Sequence, residues 1–161
     1  MNRIYFTLII LCFISLNLKA QEIKVINFKE FEMLTQQNND TTYIFNLWAT
    51  WCQPCVAELP NFVKLDSVYS SKKVKVVFIS MDFKKDLDTR LKPFIANHKI
   101  KQDVYLLSEP DANSWIDKAD KLWSGGIPAS LIVNNRLKIR KFYEKEFTFA
   151  ELEEIINQII K

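Results

Sequence analysis

Hydrophobic and polar positions divide the chain into one long apolar run followed by short alternating blocks. The run from Ile4 to Leu18 is softened only by Thr7, Cys12, Ser15 and Asn17. After it, Ile23-Lys24-Val25-Ile26 reads as a short strand. Asn27 suits the cap of a helix opening at Phe28, with Glu30 placed to complete a capping box. Phe28, Phe31 and Leu34 then share one apolar face. Asn38-Asn39-Asp40 is a polar turn. Thr42 to Trp48 is a nearly unbroken apolar strand, the kind that is buried on both faces. A helix follows from Cys52 to Tyr69, and Pro60 inside it is expected to kink it.

The second half continues the alternation. Val74 to Ser80 reads as another buried strand and Leu87 to His98 as a helix that Pro93 interrupts. Val104 to Leu107 is a short strand and Ser114 to Leu122 a short helix. Ala129 to Val133 and Leu137 to Phe142 are two strands around the turn Asn134-Asn135. Thr148 and Glu151 form a second capping box, opening a last helix whose Leu152, Ile155, Ile156 and Ile159 face inward. This order predicts an α/β fold, a central mixed β-sheet flanked by helices on both faces, with parallel strands early and antiparallel strands late.

Composition adds a compartment. Asn2-Arg3 before the apolar run and Ala20 after it give residues 1–20 the form of a secretory signal cut at Gln21, leaving a single domain over 21–161. The run is shorter than the roughly 20 residues that span a bilayer, so retention as an N-terminal anchor is the alternative. Cys12 fits a lipoprotein signal poorly, because Leu11 stands where a small residue is needed. The net charge of +3 includes Arg3 and Lys19; without them 20 basic residues face 19 acidic ones. That balance, with no basic stripe, gives no reason to expect nucleic acid as a partner.

Trp51-Cys52-Gln53-Pro54-Cys55 carries the chemistry. Two thiols three positions apart at a helix start can close a disulfide, and the helix dipole there favours a thiolate. In an exported protein, beyond the inner membrane, a lone CxxC suits redox traffic better than a disulfide framework. Only two glycines occur, where average usage would give roughly 11. They stand together as Gly125-Gly126, directly before Ile127-Pro128, at a place where backbone geometry is expected to demand them. On base rates alone the Ile127–Pro128 bond is trans; a tight loop would suit cis.

Phe45-Asn46-Leu47-Trp48-Ala49-Thr50-Trp51-Cys52-Gln53-Pro54-Cys55, with Glu58-Leu59-Pro60 following and Gly126-Ile127-Pro128 far downstream, resembles the thioredoxin-like TlpA/ResA family of exported thiol–disulfide oxidoreductases. The likeness spans Ile23 to Lys161 and implies a thioredoxin-like fold. It implies Cys52 as exposed nucleophile, Cys55 as buried resolving thiol and Pro128 as a cis-proline packed against the disulfide. Glu58, one helical turn past Cys55, is the implied proton acceptor; its alternative is a solvated carboxylate near the helix start. Asn46 stands where thioredoxin itself has a buried aspartate, which makes Glu58 the better acceptor here. Trp51, Gln53, Pro54 and Ile127 are expected to border the partner groove or tune the couple. No cofactor beyond the redox-active disulfide and no metal is implied. The implied partners are a disulfide-bearing protein, apocytochrome c being one class, and a membrane thiol donor. The implied place is the periplasm or cell envelope, as a monomer.

Other readings carry less. A disulfide oxidase or isomerase has the same parts. A copper or other metal module would need CxxxC spacing or further ligands. A peroxidase would need Thr-x-x-Cys, and Ala49 occupies the threonine place. His98, the only histidine, reads as a solvated helix-end residue. Trp115 and Trp123 read as packing, and Lys72-Lys73 and Lys84-Lys85 as solvated faces.

Overall fold

The structure, a computed structural model, describes residues 22–111 and 114–160. The N-terminal signal expected over 1–20 lies outside them.

Six strands form one sheet: β1 (Lys24–Ile26), β2 (Thr42–Trp48), β3 (Val74–Ser80), β4 (Asp103–Leu107), β5 (Ala129–Asn134) and β6 (Ile139–Tyr143). Their order is β1-β4-β3-β2-β5-β6. The first four run parallel, while β5 is antiparallel to both β2 and β6. This is the mixed α/β sheet that the alternating blocks predict. The helices are α1 (Phe28–Thr35), α2 (Gln53–Tyr69), α3 (Lys92–Asn97), α4 (Ile116–Ala119) and α5 (Phe149–Ile159). Both capping boxes form, Asn27 with Glu30 and Thr148 with Glu151.

The two faces of the sheet bury separate cores, because successive strand side chains point to opposite sides. Ile44, Trp48, Val76, Phe78 and Ile132 face α2 and α5, meeting Phe62, Leu65, Leu152 and Ile156. Phe45, Leu47, Ile79 and Leu131 face the other way, meeting Phe31, Trp115 and Trp123. Every residue of β5 is buried, and β2 and β3 are nearly so. That explains their unbroken apolar sequence.

Three elements differ from the pattern-based expectation. The helix expected over 87–98 is α-helical only from Lys92. Before it, Leu87–Leu91 is a π turn, with the Lys92 N–H reaching the Leu87 carbonyl. Pro93, which has no N–H to donate, stands at the start of the regular helix instead of inside it. The helix expected over 114–122 shrinks to Ile116–Ala119. Strand β6 begins at Ile139, not Leu137, because Lys138 takes a left-handed φ of 55° and the Leu137 N–H turns back to the Asn134 side chain. Helix α2 is continuous through Pro60. Its ring is exposed, so the missing backbone bond falls on the solvent side.

Candidate active site

Strand β2 delivers the chain to the CxxC segment, and several hydrogen bonds hold the turn between them. The Met81 N–H donates to Trp48 O (2.7 Å) and the Cys52 N–H to Ala49 O (3.1 Å). The Asp82 carboxylate, buried at the end of β3, accepts from the Thr50 N–H (3.1 Å) and the Thr50 hydroxyl (2.5 Å). Cys52 is the N-cap of α2. Its Sγ accepts the Cys55 N–H at 3.3 Å, as a capping oxygen would. Cys52 and Cys55 are joined in a disulfide, with Cα atoms 5.3 Å apart.

The far wall comes from β5. Its antiparallel register sets Ala129 opposite Leu47, so the residues just before β5 arrive beside the end of β2. The Ile127–Pro128 bond is cis, and the Ile127 carbonyl oxygen stands 3.8 Å from Cys52 Sγ. Trp51, Gln53 and Pro54 are exposed around the sulfurs, Trp51 by 52%. Ile127 is half-buried and Pro128 buried. The structure therefore gathers these residues around one disulfide. It corrects one expectation: Cys52 is not exposed. In the disulfide it retains 6% of its surface, against none for Cys55, because the Ile127 carbonyl covers its sulfur.

Glu58 is fully buried, which removes the solvated-carboxylate alternative. Cys55 and Glu58 stand one turn apart on the inward side of α2. Glu58 Oε1 accepts from Asn46 Nδ2 (2.8 Å) and Oε2 from the Phe147 N–H (2.7 Å). Asn46 Nδ2 also donates to Ser130 Oγ (3.2 Å). These contacts follow from register: Asn46 pairs with Ser130 across β2 and β5, and both point toward α2. Burial pushes the Glu58 carboxyl up to about 7, although the Phe147 and Asn46 bonds pull it down; the nearby Glu146 charge adds to the rise. Asn46 Oδ1 is buried without a hydrogen-bond partner.

The loop before Pro128 explains both glycines. Gly125 has φ +92°, and a Cβ there would meet Ile116 Cδ1 at 2.9 Å. A Cβ on Gly126 would lie 2.3 Å from Glu144 Oε1. That carboxylate accepts from the Ser124 N–H (2.8 Å) and the Ser124 hydroxyl (2.5 Å). Trp123, which is buried, also donates its indole N–H to Gly126 O (2.7 Å). Asp82, Ser130 and Glu144 escaped the sequence reading. Only Ser130 left a signal, a polar residue inside an apolar strand.

A buried acid with a pKa near neutrality, one helical turn from the inner cysteine of a dithiol pair at a helix start, can move a proton during thiol–disulfide exchange. Among the described residues no group of three or more His, Cys, Asp or Glu side chains is placed to hold a metal ion. His98 stands at the end of α3, exposed and stacked on Phe94 at 3.8 Å.

A family model described as the AhpC/TSA family matches residues 13–142. The thiol-disulfide oxidoreductase ResA of Oceanobacillus iheyensis is 29% identical over 119 residues, covering 72% of this chain and 56% of that protein. The sporulation thiol-disulfide oxidoreductase A of Bacillus subtilis is 26% identical over 125 residues, covering 78% and 72%. The chain thus spans little more than half the length of the first of these relatives. Among solved structures, a thioredoxin-related protein from Neisseria meningitidis serogroup B aligns with a TM-score of 0.63 at 20% identity, covering 76% of this chain and 87% of that one. This likeness establishes the thioredoxin-like fold.

Proposed function

The chain belongs to the AhpC/TSA family, and within it we propose an exported thiol–disulfide oxidoreductase that reduces protein disulfides through Cys52 and Cys55. The observation that carries this reading is the Cys52–Cys55 disulfide at the start of α2 with Glu58 buried one turn further on. The similarity to proteins named thiol-disulfide oxidoreductases supports it.

The steps balance as ordinary exchange. The reduced Cys52 thiolate attacks a partner disulfide, forming a mixed disulfide and releasing one partner sulfur as thiolate. Cys55 gives its proton to Glu58 and attacks Cys52 Sγ. The Cys52–Cys55 bond forms, the mixed disulfide breaks and the second partner sulfur leaves. The partner gains two electrons, and a dithiol donor returns them to the Cys52–Cys55 disulfide. The α2 N-terminus and the Cys55 N–H favour charge on Cys52. Asn46 can serve both states of Glu58. Its Nδ2 donates to the carboxylate, and after a turn of the amide its unpartnered Oδ1 accepts from the acid. Aspartate there would set a second buried charge against Glu58.

Trp51, Gln53, Pro54, Ile127 and Pro128 border the partner's path. The run Ile4 to Leu18 supports export to the periplasm or cell envelope, by a cleaved signal or a retained anchor. Among the described residues no helix is long and apolar enough to cross a membrane. The ResA likeness favours reduction over oxidation or isomerisation, with apocytochrome c as one substrate class and a membrane thiol as donor. Ala49 in place of the threonine of Thr-x-x-Cys argues against peroxide chemistry.

The test is insulin reduction with dithiothreitol. The protein accelerates it, Cys52→Ser abolishes the effect, and Cys55→Ser accumulates a mixed disulfide that identifies the partner in cells. An inert wild-type protein that also fails to close Cys52–Cys55 under mild oxidant ends this reading.

A further inference from the structure

We propose that Glu144 is a positioning residue for the redox pair: its carboxylate fixes the 124–126 loop and so holds the Ile127 carbonyl over Cys52. The proposal rests on the dithiol reading above and concerns how this chain builds the outer wall of that site.

Glu144 directly follows β6. The register pairs Tyr143 with Ser130, so Glu144 emerges beside the start of β5, where the loop enters. Its two oxygens take the Ser124 N–H and hydroxyl. The Ser124 hydroxyl, then the Ser124 and Gly126 N–H groups, hold the Glu144 carboxyl below the usual carboxylate range against a small burial effect. The group is therefore ionised near neutrality, and its bonds to the loop are charge-assisted. From the other side the Trp123 indole clasps Gly126 O. Ser124 and Gly126 are thus pinned on either side of Gly125, immediately before Ile127.

The sequence bears the mark of this clamp. One of only two glycines in the chain stands where any Cβ would strike the Glu144 carboxylate at 2.3 Å. Both Ser124 and Glu144 are exposed, so the clamp lies on the rim of the site and not in its core. The Ile127 carbonyl faces Cys52 Sγ at 3.8 Å. In the reduced protein it can accept from the thiol, which favours the protonated form, while the Cys55 N–H and the α2 terminus favour the thiolate. Releasing the loop tips that balance toward the thiolate.

The test alkylates reduced protein with iodoacetamide across a pH series and follows labelling at Cys52. In Glu144→Ala the acid side of the profile rises about fivefold, the size of one lost neutral hydrogen bond. Glu144→Gln keeps the shape and one acceptor oxygen without the charge, and moves the profile by less than Glu144→Ala. Ser124→Ala moves the profile in the same direction by less, and carries the test if Glu144→Ala does not fold. A profile unchanged in Glu144→Ala and Ser124→Ala overturns the proposal. So does a Glu144→Gln shift as large as that of Glu144→Ala, which would mean charge at a distance instead of position. Failure of the redox reading registers separately, as wild-type protein that alkylates but does not exchange with insulin.

Discussion

Asn46 and Glu58 share a 2.8 Å hydrogen bond on the buried side of α2, where neither has any contact with solvent. The bond joins the central strand β2 to the helix that carries both cysteines. A buried carboxyl with a pKa of about 7 is half-charged at neutral pH. It can therefore both take a proton from Cys55 and release it again. Glu58→Gln keeps the size and loses that capacity. Insulin reduction by this variant should fall by about 10²-fold, the lower end of what a positioned general base contributes. Its pH profile should lose the limb near 7 that the wild type shows. A variant retaining both rate and limb would exclude Glu58 as the acceptor.

The same shift sets a stability profile. Glu58 rises from 4.5 to about 7 on folding, so the folded state holds its proton more tightly than the unfolded state. Its contribution is fully present below pH 4.5 and is lost as pH rises through 7. The loss reaches about 3 kcal/mol at most. Urea unfolding of the oxidised protein, in which neither cysteine titrates, should give a midpoint lower at pH 8 than at pH 5. In Glu58→Gln that difference should shrink, because the glutamine does not titrate.

Asn46→Ala tests the other partner. It removes the donor to Glu58 Oε1 and the bond to Ser130, leaving a buried carboxylate oxygen unpaired. Stability at pH 8 should drop by about 2 kcal/mol, the usual cost of an unsatisfied buried acceptor. The drop should be smaller at pH 5, where Glu58 is protonated. The activity profile should move to higher pH, since one contact that lowers the Glu58 pKa is gone. Equal losses at both pH values would mean that Asn46 acts through packing alone.

Much of this arrangement is legible in the sequence. The apolar runs of β2, β3 and β5 report burial on both sheet faces, and both capping boxes mark their helix starts. The CxxC and Ile127-Pro128 segments can be assigned together because the family likeness links them across 72 residues. Elsewhere the information lies in three dimensions. Asp82 and Glu144 look like ordinary charges at strand ends. Only the fold turns one toward Thr50 and the other beneath Gly126. The near-complete covering of Cys52 arises from register between β2 and β5, which no local pattern encodes. The π turn at Leu87–Leu91 is a compromise around Pro93 that hydrophobic periodicity does not distinguish from a regular helix.

Asp82→Ala probes the tether of the CxxC turn. The Asp82 carboxylate takes the Thr50 N–H and hydroxyl and also the Ser80 hydroxyl (2.8 Å). Losing it leaves several donors without acceptors in a buried place, a cost of about 2–3 kcal/mol. Urea unfolding should register that loss. Insulin reduction, measured where the variant is fully folded, should also fall, because Thr50 sets the approach of the chain to Cys52. A destabilised variant of unchanged activity would confine Asp82 to the fold.

The two glycines should answer differently to alanine. At Gly125 the difficulty is backbone: φ +92° is strained for any L side chain, and the added Cβ meets only the flexible tip of Ile116. Gly125→Ala should therefore cost about 1–2 kcal/mol of stability, whatever stands at position 144. At Gly126 the difficulty is the Glu144 carboxylate itself, 2.3 Å from the new Cβ. That carboxylate ends a flexible exposed side chain, so it should swing away and surrender Ser124. Gly126→Ala should then reproduce the Cys52 alkylation profile of Glu144→Ala with little loss of stability. Combining the two should add nothing further, since both remove the same contact. Additive shifts in that double variant would mean that Gly126 and Glu144 act on the loop independently.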